Sequence, residues 1–214
     1  MSFDPITLAL TLALLALVPT LAVVSTTFLK ISVVMSLVRN ALGVQQIPPN
    51  LALYGLSLIM TVYIMAPVGQ NIYEKVREEP TATRSVEGLF KAVGRGAEPM
   101  RDFLYKHSDQ GQRDFFVRTG RELWGKDLSA NLKEKDFIIL LPSFMVTELT
   151  EAYEIGFLLF LPFVVIDLVV SNVLLAMGMM MVSPVMISMP LKLFLFVMAD
   201  GWTRLIQGLV LTYR

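Results

Sequence analysis

The chain has 214 residues, of which 55% are hydrophobic, and its 18 basic and 18 acidic residues give a net charge of zero. Of these 36 charges, 25 fall within residues 74–136, which excludes an ordinary soluble domain, where about a quarter of residues are charged throughout. Zero net charge gives no electrostatic reason to expect nucleic acid, and the absence of cysteine excludes disulfides, iron–sulfur clusters and thiolate metal sites.

The N-terminal third of the chain contains two long uncharged runs, of 25 and 34 residues. Each exceeds the roughly 20 residues that a helix needs to cross the hydrocarbon core of a membrane. They predict a pair of hydrophobic helices at roughly 5–38 and 51–73. In the connecting turn, Gly43 can end a helix, and Pro48 and Pro49 cannot continue one.

The charged segment at 74–136 carries 13 basic and 12 acidic residues, and its apolar residues recur at helical spacing. We predict a small helical module in water. Breaks between short amphipathic helices are expected at Gly94, Gly96, Pro99 and Gly111. The mixed charge of the module leads to the hypothesis that it is a docking surface for surrounding proteins.

Basic residues in short loops predict the orientation of membrane helices. The connection after the first helix holds Lys30 and Arg39 without an acid, which predicts a cytoplasmic connection and a periplasmic position for 74–136. Arg204 and Arg214, which this arrangement places outside, favour the opposite orientation.

A second pair of hydrophobic helices is predicted at roughly 147–177 and 185–211. Their connecting turn repeats the chemistry of the first, because Gly178 can end a helix and Pro184, six residues later, cannot continue one.

Three acids accompany the predicted start of the third helix, where Glu148, Glu151 and Glu154 follow Pro142. One interpretation is an interfacial first turn, because the N-terminal end of a helix favours acids. The other is that some of these acids meet basic residues of adjacent subunits, with Lys30 as one candidate.

Charges within the apolar helices are expected to have partners, because an ionised group at mid-membrane costs about 3 kcal/mol or more. Asp167 and Lys192 would lie nearly opposite each other in an antiparallel hairpin that turns near residue 179. We predict that they pair within the hairpin or between neighbouring copies, the alternative being that both reach water or headgroups. Asp200 is a further candidate for a buried or intersubunit charge.

Three consecutive methionines, Met179, Met180 and Met181, lie inside the second turn. Methionine side chains are flexible, apolar and deformable. Several copies around an axis would form a soft apolar constriction that excludes water and ions yet yields to a passing chain. Lipid contact or ordinary packing is the alternative.

Catalysis is not expected. His107 is the only histidine, so serine and metal mechanisms lack the bases and ligands they need. Asp167 and Asp200 are the only aspartates available to an intramembrane protease, and neither lies in a Gly-x-Gly-Asp sequence. We predict no enzymatic activity, no catalytic residue, no metal and no cofactor.

Several segments together resemble one family. Residues 142–157, PSFMVTELTEAYEIGF, with the continuation to Pro184, resemble the signature region of the flagellar biosynthesis protein P (FliP) and its injectisome counterpart, the R subunit (SctR or YscR). Ser143, Tyr153 and Leu191 are mild departures, and the short N-terminus is more similar to the injectisome branch. Three further segments are similar: FLKISVVMSLVRNALGVQQIPPN at 28–50, MAPVG at 65–69 and PLKLFLFVMADGW at 190–202.

The resemblance implies an inner-membrane component of the type III secretion export apparatus. In that family several copies assemble with the Q-type (S) and R-type (T) subunits, beside other export-gate and basal-body proteins. The implied fold is all-α, with hydrophobic hairpins at 1–73 and 137–214 flanking a periplasmic module at 74–136. The hairpins would form a cone raised largely out of the bilayer, and the family's pore-sealing loop corresponds to Met179, Met180 and Met181.

We therefore interpret the chain as a homo-oligomeric subunit that forms and gates a pore for unfolded protein substrates. The charges expected to fix subunit register are Lys30, Glu148, Glu151, Asp167, Lys192 and Asp200. The alternative is a small-solute membrane carrier that uses Asp167 or Lys192 as its coupling or substrate site. A passive assembly scaffold is a third possibility.

Overall fold

The computed structural model describes residues 5–44, 47–78, 86–125 and 129–214. Over these ranges every regular element is a helix, so the predicted all-helical class is confirmed. The predicted module at 74–136 includes residues 79–85 and 126–128, which lie outside the described residues. In chain order the helices are α1 (Pro5–Ser25), α2 (Phe28–Ala41), α3 (Asn50–Arg77), α4 (Val86–Lys106), α5 (Gln110–Leu123), α6 (Phe137–Ala176), α7 (Pro184–Met198) and α8 (Gly201–Leu211).

As far as the structure describes it, the chain divides into two compact units. Unit 1 comprises Met1–Leu29 and Thr61–Glu148, and unit 2 comprises Lys30–Met60 and Leu149–Arg214. The three-part organisation expected from the sequence stays a prediction.

The core of unit 1 lies where α4 packs against the first turns of α6. Leu104, Leu140 and Phe144 are completely buried, and Phe103 is nearly so. The rings of Phe103 and Phe144 are tilted against each other with centroids 5.8 Å apart, a separation typical of stabilising aromatic pairs.

Helix α4 is continuous, so the breaks expected at Gly94, Gly96 and Pro99 were wrong, and Gly111 lies within α5. A glycine lowers the stability of a helix by only about 1 kcal/mol relative to alanine. One of these glycines, Gly96, lies where α4 packs against α3. A Cβ added to Gly96 would lie 2.9 Å from Cγ2 of Val76. Gly96 therefore permits a close approach of two helices.

Helix α2 is the most deeply buried part of unit 2. A glycine on α6 lets that helix approach it closely, since a Cβ added to Gly156 would lie 2.2 Å from Cδ1 of Leu37. The core residues of α2 are at most 1% exposed: Ile31, Val34, Met35 and Val38.

The first predicted helix, expected to reach residue 38, is broken after Ser25, and α2 begins at Phe28. The hydroxyls of Ser25 and Thr26 donate to the carbonyls of Leu21 and Ala22, one turn earlier. Such bonds back to the preceding turn weaken and bend a helix. This local competition explains the break.

The last predicted helix is likewise broken, and α7 and α8 meet at an angle of 62°. Asp200 lies between them and has a φ of 51°, in the left-handed region that residues other than glycine rarely adopt. A Cβ on the following Gly201 would lie 2.4 Å from the ring of Phe196. The elbow thus depends on the absence of a side chain at Gly201.

The third hydrophobic helix starts at Phe137, ten residues before the predicted position, and Pro142 lies inside it. The carbonyl of Asp136 accepts the N–H groups of Ile139 and Leu140, both at 2.9 Å. These two side chains are at most 1% exposed, so their burial favours the additional turns.

Among the described residues, two helices, α3 and α6, are long and apolar enough to cross a membrane. The number rises to four if the bent α1 and the α7–α8 pair each count as one span. Only 17% and 11% of the most apolar stretches of α3 and α6 are buried within the chain. Their apolar surfaces are therefore available to lipid or to other subunits.

Candidate functional site

The turn between α6 and α7 is built around Gly178, whose φ of 75° is readily adopted only by glycine. Its N–H donates to the Leu175 carbonyl at 3.0 Å, and the N–H of Met179 donates to the Leu174 carbonyl at 2.9 Å. These two bonds form the Schellman motif that ends a helix. Pro184 then begins α7, where its missing N–H is not needed.

The methionines of this turn do not fill the core of unit 2. Met179 is 41% exposed, Met180 81% and Met181 101%. Met35 provides a contrast, because it is completely buried in α2. The turn therefore presents a flexible apolar tip on a defined backbone.

Below the tip, a buried ion pair joins α6 to α7. Lys192 Nζ lies 2.6 Å from Oδ2 of Asp167, and the other carboxylate oxygen accepts a hydrogen bond from the Ser188 hydroxyl at 2.5 Å. The Lys192 side chain is 4% exposed and that of Asp167 is 34% exposed. The two charges expected to lie opposite each other are thus in contact within one hairpin.

The same ammonium group also reaches α2. Lys192 Nζ donates to the Ala41 carbonyl at 3.2 Å, and Ala41 is the last residue of that helix. A cation is favoured there by the helix dipole. Sequence reasoning missed this acceptor and Ser188, although Ser188 lies one turn before Lys192 on the same helix face. We call Asp167, Ser188, Lys192 and the Ala41 carbonyl the hairpin clasp.

A second buried cation lies at the start of α2. Lys30 is 1% exposed, and its Nζ is 2.6 Å from Oε2 of Glu151 and 4.3 Å from the centroid of the Tyr213 ring. Both contacts lie within one chain, whereas the sequence had suggested an adjacent subunit for such a pair. Tyr213, which sequence reasoning missed, supplies a cation–π contact from the C-terminal end of the chain.

The remaining predicted charges occupy different environments. Glu148 is completely buried, whereas Glu154 is exposed. The interpretation of Glu148, Glu151 and Glu154 as an interfacial first turn was wrong, because α6 begins three turns before them. Asp200 is exposed at the α7–α8 elbow, so within this chain it is not a buried charge. Its intersubunit role stays a prediction.

The turn between α2 and α3 also uses a left-handed glycine, with a φ of 76° at Gly43. Arg39 of α2 joins the two ends of this turn, since its Nη1 donates to Oδ1 of Asn50 at 2.5 Å and to the Pro48 carbonyl at 3.3 Å. The Pro49 carbonyl accepts the N–H of Ala52 at 2.9 Å in the first turn of α3. Both predicted hairpin turns thus contain the glycine and proline geometry that ends one helix and starts the next.

Unit 2 also contains an apolar cavity of about 470 Å³, bordered by α2, α6, α7 and α8. Arg204 is the one charged group among its described lining residues. Binding sites for small polar molecules normally bring several polar groups together. In the part of the chain that the structure describes, no three acidic or histidine side chains could hold a metal ion.

Fold and site together define an all-helical, strongly apolar protein whose buried ionisable groups hold helices to one another. Residues 11–209 match the FliP family, and the chain belongs to that family.

Relatives of similar length support the same assignment. The chain is 51% identical to Yop proteins translocation protein R of Yersinia pestis over 210 residues, covering 98% of this chain and 97% of the relative. It is 43% identical to harpin secretion protein HrcR of Erwinia amylovora, covering 99% and 97%, and 42% identical to virulence protein YscR of Salmonella typhimurium, covering 98% and 97%. The predicted family of type III secretion export proteins, in its injectisome branch, is confirmed.

Proposed function

We propose that this chain forms and gates the pore through which unfolded protein substrates pass in type III secretion. The observation that carries the proposal is the exposed methionine tip at Met179, Met180 and Met181. Placed around a common axis in several copies, these tips would meet as an apolar seal. Such a seal excludes hydrated ions by dewetting and still deforms around a polypeptide.

The gate needs a rigid support as well as a soft tip. Gly178 holds the end of α6, and the clasp between Asp167 and Lys192 joins α6 to α7. The flexible side chains would therefore move while the hairpin backbone stays in place. This division supports a seal that closes again after a substrate has passed.

The exposed apolar surfaces of α3 and α6 support a homo-oligomer, because such surfaces must be covered by lipid or protein. The proposed partners are further copies of this chain, the Q-type (S) and R-type (T) subunits, and other export-gate and basal-body proteins. The relatives named for translocation of Yop proteins and secretion of harpin support a protein as the transported substrate.

We place the assembly in the bacterial inner membrane, with residues 74–136 forming a periplasmic module between hairpins at 1–73 and 137–214. The assembled hairpins would form a cone raised toward the periplasm. Asp200, which is exposed at the α7–α8 elbow, is proposed to contribute to contacts between subunits.

The small-solute carrier is less well supported. It required Asp167 or Lys192 as a coupling or substrate site, but each is engaged by the other and by neighbouring groups in the clasp. The apolar cavity of unit 2 also lacks the converging polar groups that would select a small polar solute.

The proposal is tested by ion leak and substrate secretion in cells that carry Met179→Ala, Met180→Ala and Met181→Ala together. We expect increased leak with secretion retained, because truncation opens the seal without closing the path. The control replaces two exposed methionines outside the turn, Met186 and Met198, with alanine and should leave the leak unchanged.

Assembly must be verified by co-purification of the other apparatus subunits. An assembled complex without added leak in the turn variant would rule out a methionine gate at this turn. Equal leak in the turn variant and the control would show that methionine loss acts through general packing.

A further inference from the structure

Unit 1 contains a polar cleft of about 710 Å³ that the hairpin site does not use. One wall is a stripe of α5 with Arg118 and Arg121, and the other is the segment before α6 with Lys133 and Lys135. Tyr105 of α4 also lines the cleft.

Local hydrogen bonds define both walls. Oδ1 of Asp109 caps α5 by accepting the N–H of Gln112 at 3.1 Å, and Oδ2 of Asp136 accepts the N–H of Lys133 at 2.8 Å. Gly120 brings α5 close to the second wall, because an added Cβ would lie 2.9 Å from Cδ2 of Leu132. The cleft is thus a shaped feature of the fold.

The cleft carries excess positive charge in a chain whose net charge is zero. Two cations lie close to the Tyr105 ring, with the Arg113 guanidinium 4.3 Å and Lys135 Nζ 4.8 Å from its centroid. The lining comprises four cations and two acids: Arg118, Arg121, Lys133 and Lys135, with Asp114 and Glu134.

Two exposed cations elsewhere in unit 1 have acidic partners. Lys75 pairs with Glu98 at 2.5 Å and Lys91 with Glu87 at 2.7 Å, and these hydrogen bonds lower the pKa of both carboxyls. In contrast, no ion pair joins a cleft cation to any carboxylate that the structure describes. Converging cations that form no ion pair with the described carboxylates create a positive potential that attracts an anionic ligand.

We propose that this cleft binds an acidic peptide segment of a partner protein. Guanidinium groups of Arg118 and Arg121 can each bind a carboxylate through two hydrogen bonds. Lys133 and Lys135 would engage further carboxylates from the opposite wall. This interaction is independent of the methionine gate, because it involves unit 1 alone.

The composition of the cleft favours a peptide over an anionic lipid surface. Lipid headgroups are recognised by clusters of basic residues on an exposed surface. Here two acids, Asp114 and Glu134, and two apolar residues, Val117 and Leu132, alternate with the cations in a concavity. A peptide with acidic and apolar side chains complements that mixture, whereas a row of phosphates would be repelled by the two carboxylates.

The test places a photo-crosslinking amino acid at position 117 of the full chain, in cells that assemble the secretion apparatus. We expect an adduct with a peptide of another protein that is rich in Asp and Glu. Combining Arg118→Glu with Lys133→Glu should lower its yield by about tenfold, through loss of charge-assisted contacts. Replacing two acids of the adducted peptide with Lys should restore the yield.

The matched control combines Lys75→Glu with Lys91→Glu, which makes the same charge change outside the cleft and should leave the adduct intact. If the reversed variant does not co-purify with its apparatus, Arg118→Gln with Lys133→Gln should still lower the yield. The proposal is overturned by an adduct with lipid alone, by no adduct, or by an adduct that neither cleft variant weakens.

Discussion

The hairpin clasp makes an asymmetric prediction about Asp167 and Lys192. Replacing Asp167 with Asn removes the charge partner of an ammonium group that is 4% exposed. Replacing Lys192 with Met instead leaves a carboxylate that is 34% exposed and still hydrogen-bonded to Ser188. Water can reach the second orphan charge but not the first, so Asp167→Asn should be the more destabilising change.

The magnitudes follow from this difference in burial. Breaking a fully buried pair costs about 3–5 kcal/mol, and partial exposure of Asp167 reduces the expected cost of Asp167→Asn to about 2–3 kcal/mol. Lys192→Met should cost about 1–2 kcal/mol, through lost hydrogen bonds. The double variant buries no unpaired charge, so it should be more stable than Asp167→Asn alone.

The assay is thermal unfolding of the purified chain in detergent, followed for the two single variants and the double variant. In a protein of this size each kcal/mol corresponds to roughly 2–4 °C in Tm. The expected order of Tm is wild type, then Lys192→Met, then Asp167→Asn, with the double variant above Asp167→Asn. Additive losses in the double variant, or a larger loss for Lys192→Met, would refute the clasp as a coupled buried pair.

Three further predictions concern packing, the methionine turn and pH. Gly156→Ala should lower the free energy of unfolding by about 1–3 kcal/mol, because the added methyl group clashes with α2. The control is Gly55→Ala, which has open space around the added methyl group and should not destabilise the protein. Gly178→Ala should cost about 1–2 kcal/mol because of its positive φ, and an unchanged Tm would contradict the Schellman geometry. The ion pair between Lys75 and Glu98 should stabilise the fold above the ordinary carboxyl pKa of 4.5, and this stabilisation should be lost as pH falls through the lowered pKa of Glu98. A pH series of Tm in the Glu98→Gln variant should lack that part of the acid dependence.

Features that depend on a few neighbouring residues were predictable from the sequence. The left-handed glycines at Gly43 and Gly178 were identified because few other residues end a helix in that way. The contact between Asp167 and Lys192 was also predictable, since both lie at matching distances from one turn. The all-helical class followed from long apolar runs that have no alternative way to satisfy their backbone in lipid.

Helix ends were harder to predict where two local preferences compete. The break after Ser25 depends on hydroxyls that bond to the preceding turn, although Ser and Thr also occur within helices. The early start of α6 depends on burial of Ile139 and Leu140, which outweighs the preference of Pro142 for a helix N-terminus. These outcomes are decided by packing energy, which a local pattern does not contain.

Sequence alone determined that the chain is helical and where its two hairpins turn, because these properties arise within short stretches of chain. It also predicted that Asp167 and Lys192 pair, within the hairpin or between copies, and the structure showed that they pair within the hairpin. Only the tertiary structure decided that Lys30 meets Glu151, 121 residues away, and Tyr213. It alone also revealed that four cations converge on one cleft of unit 1 and form no ion pair with the described carboxylates. Partners across such distances depend on how whole helices pack, and that packing is a sum over many contacts.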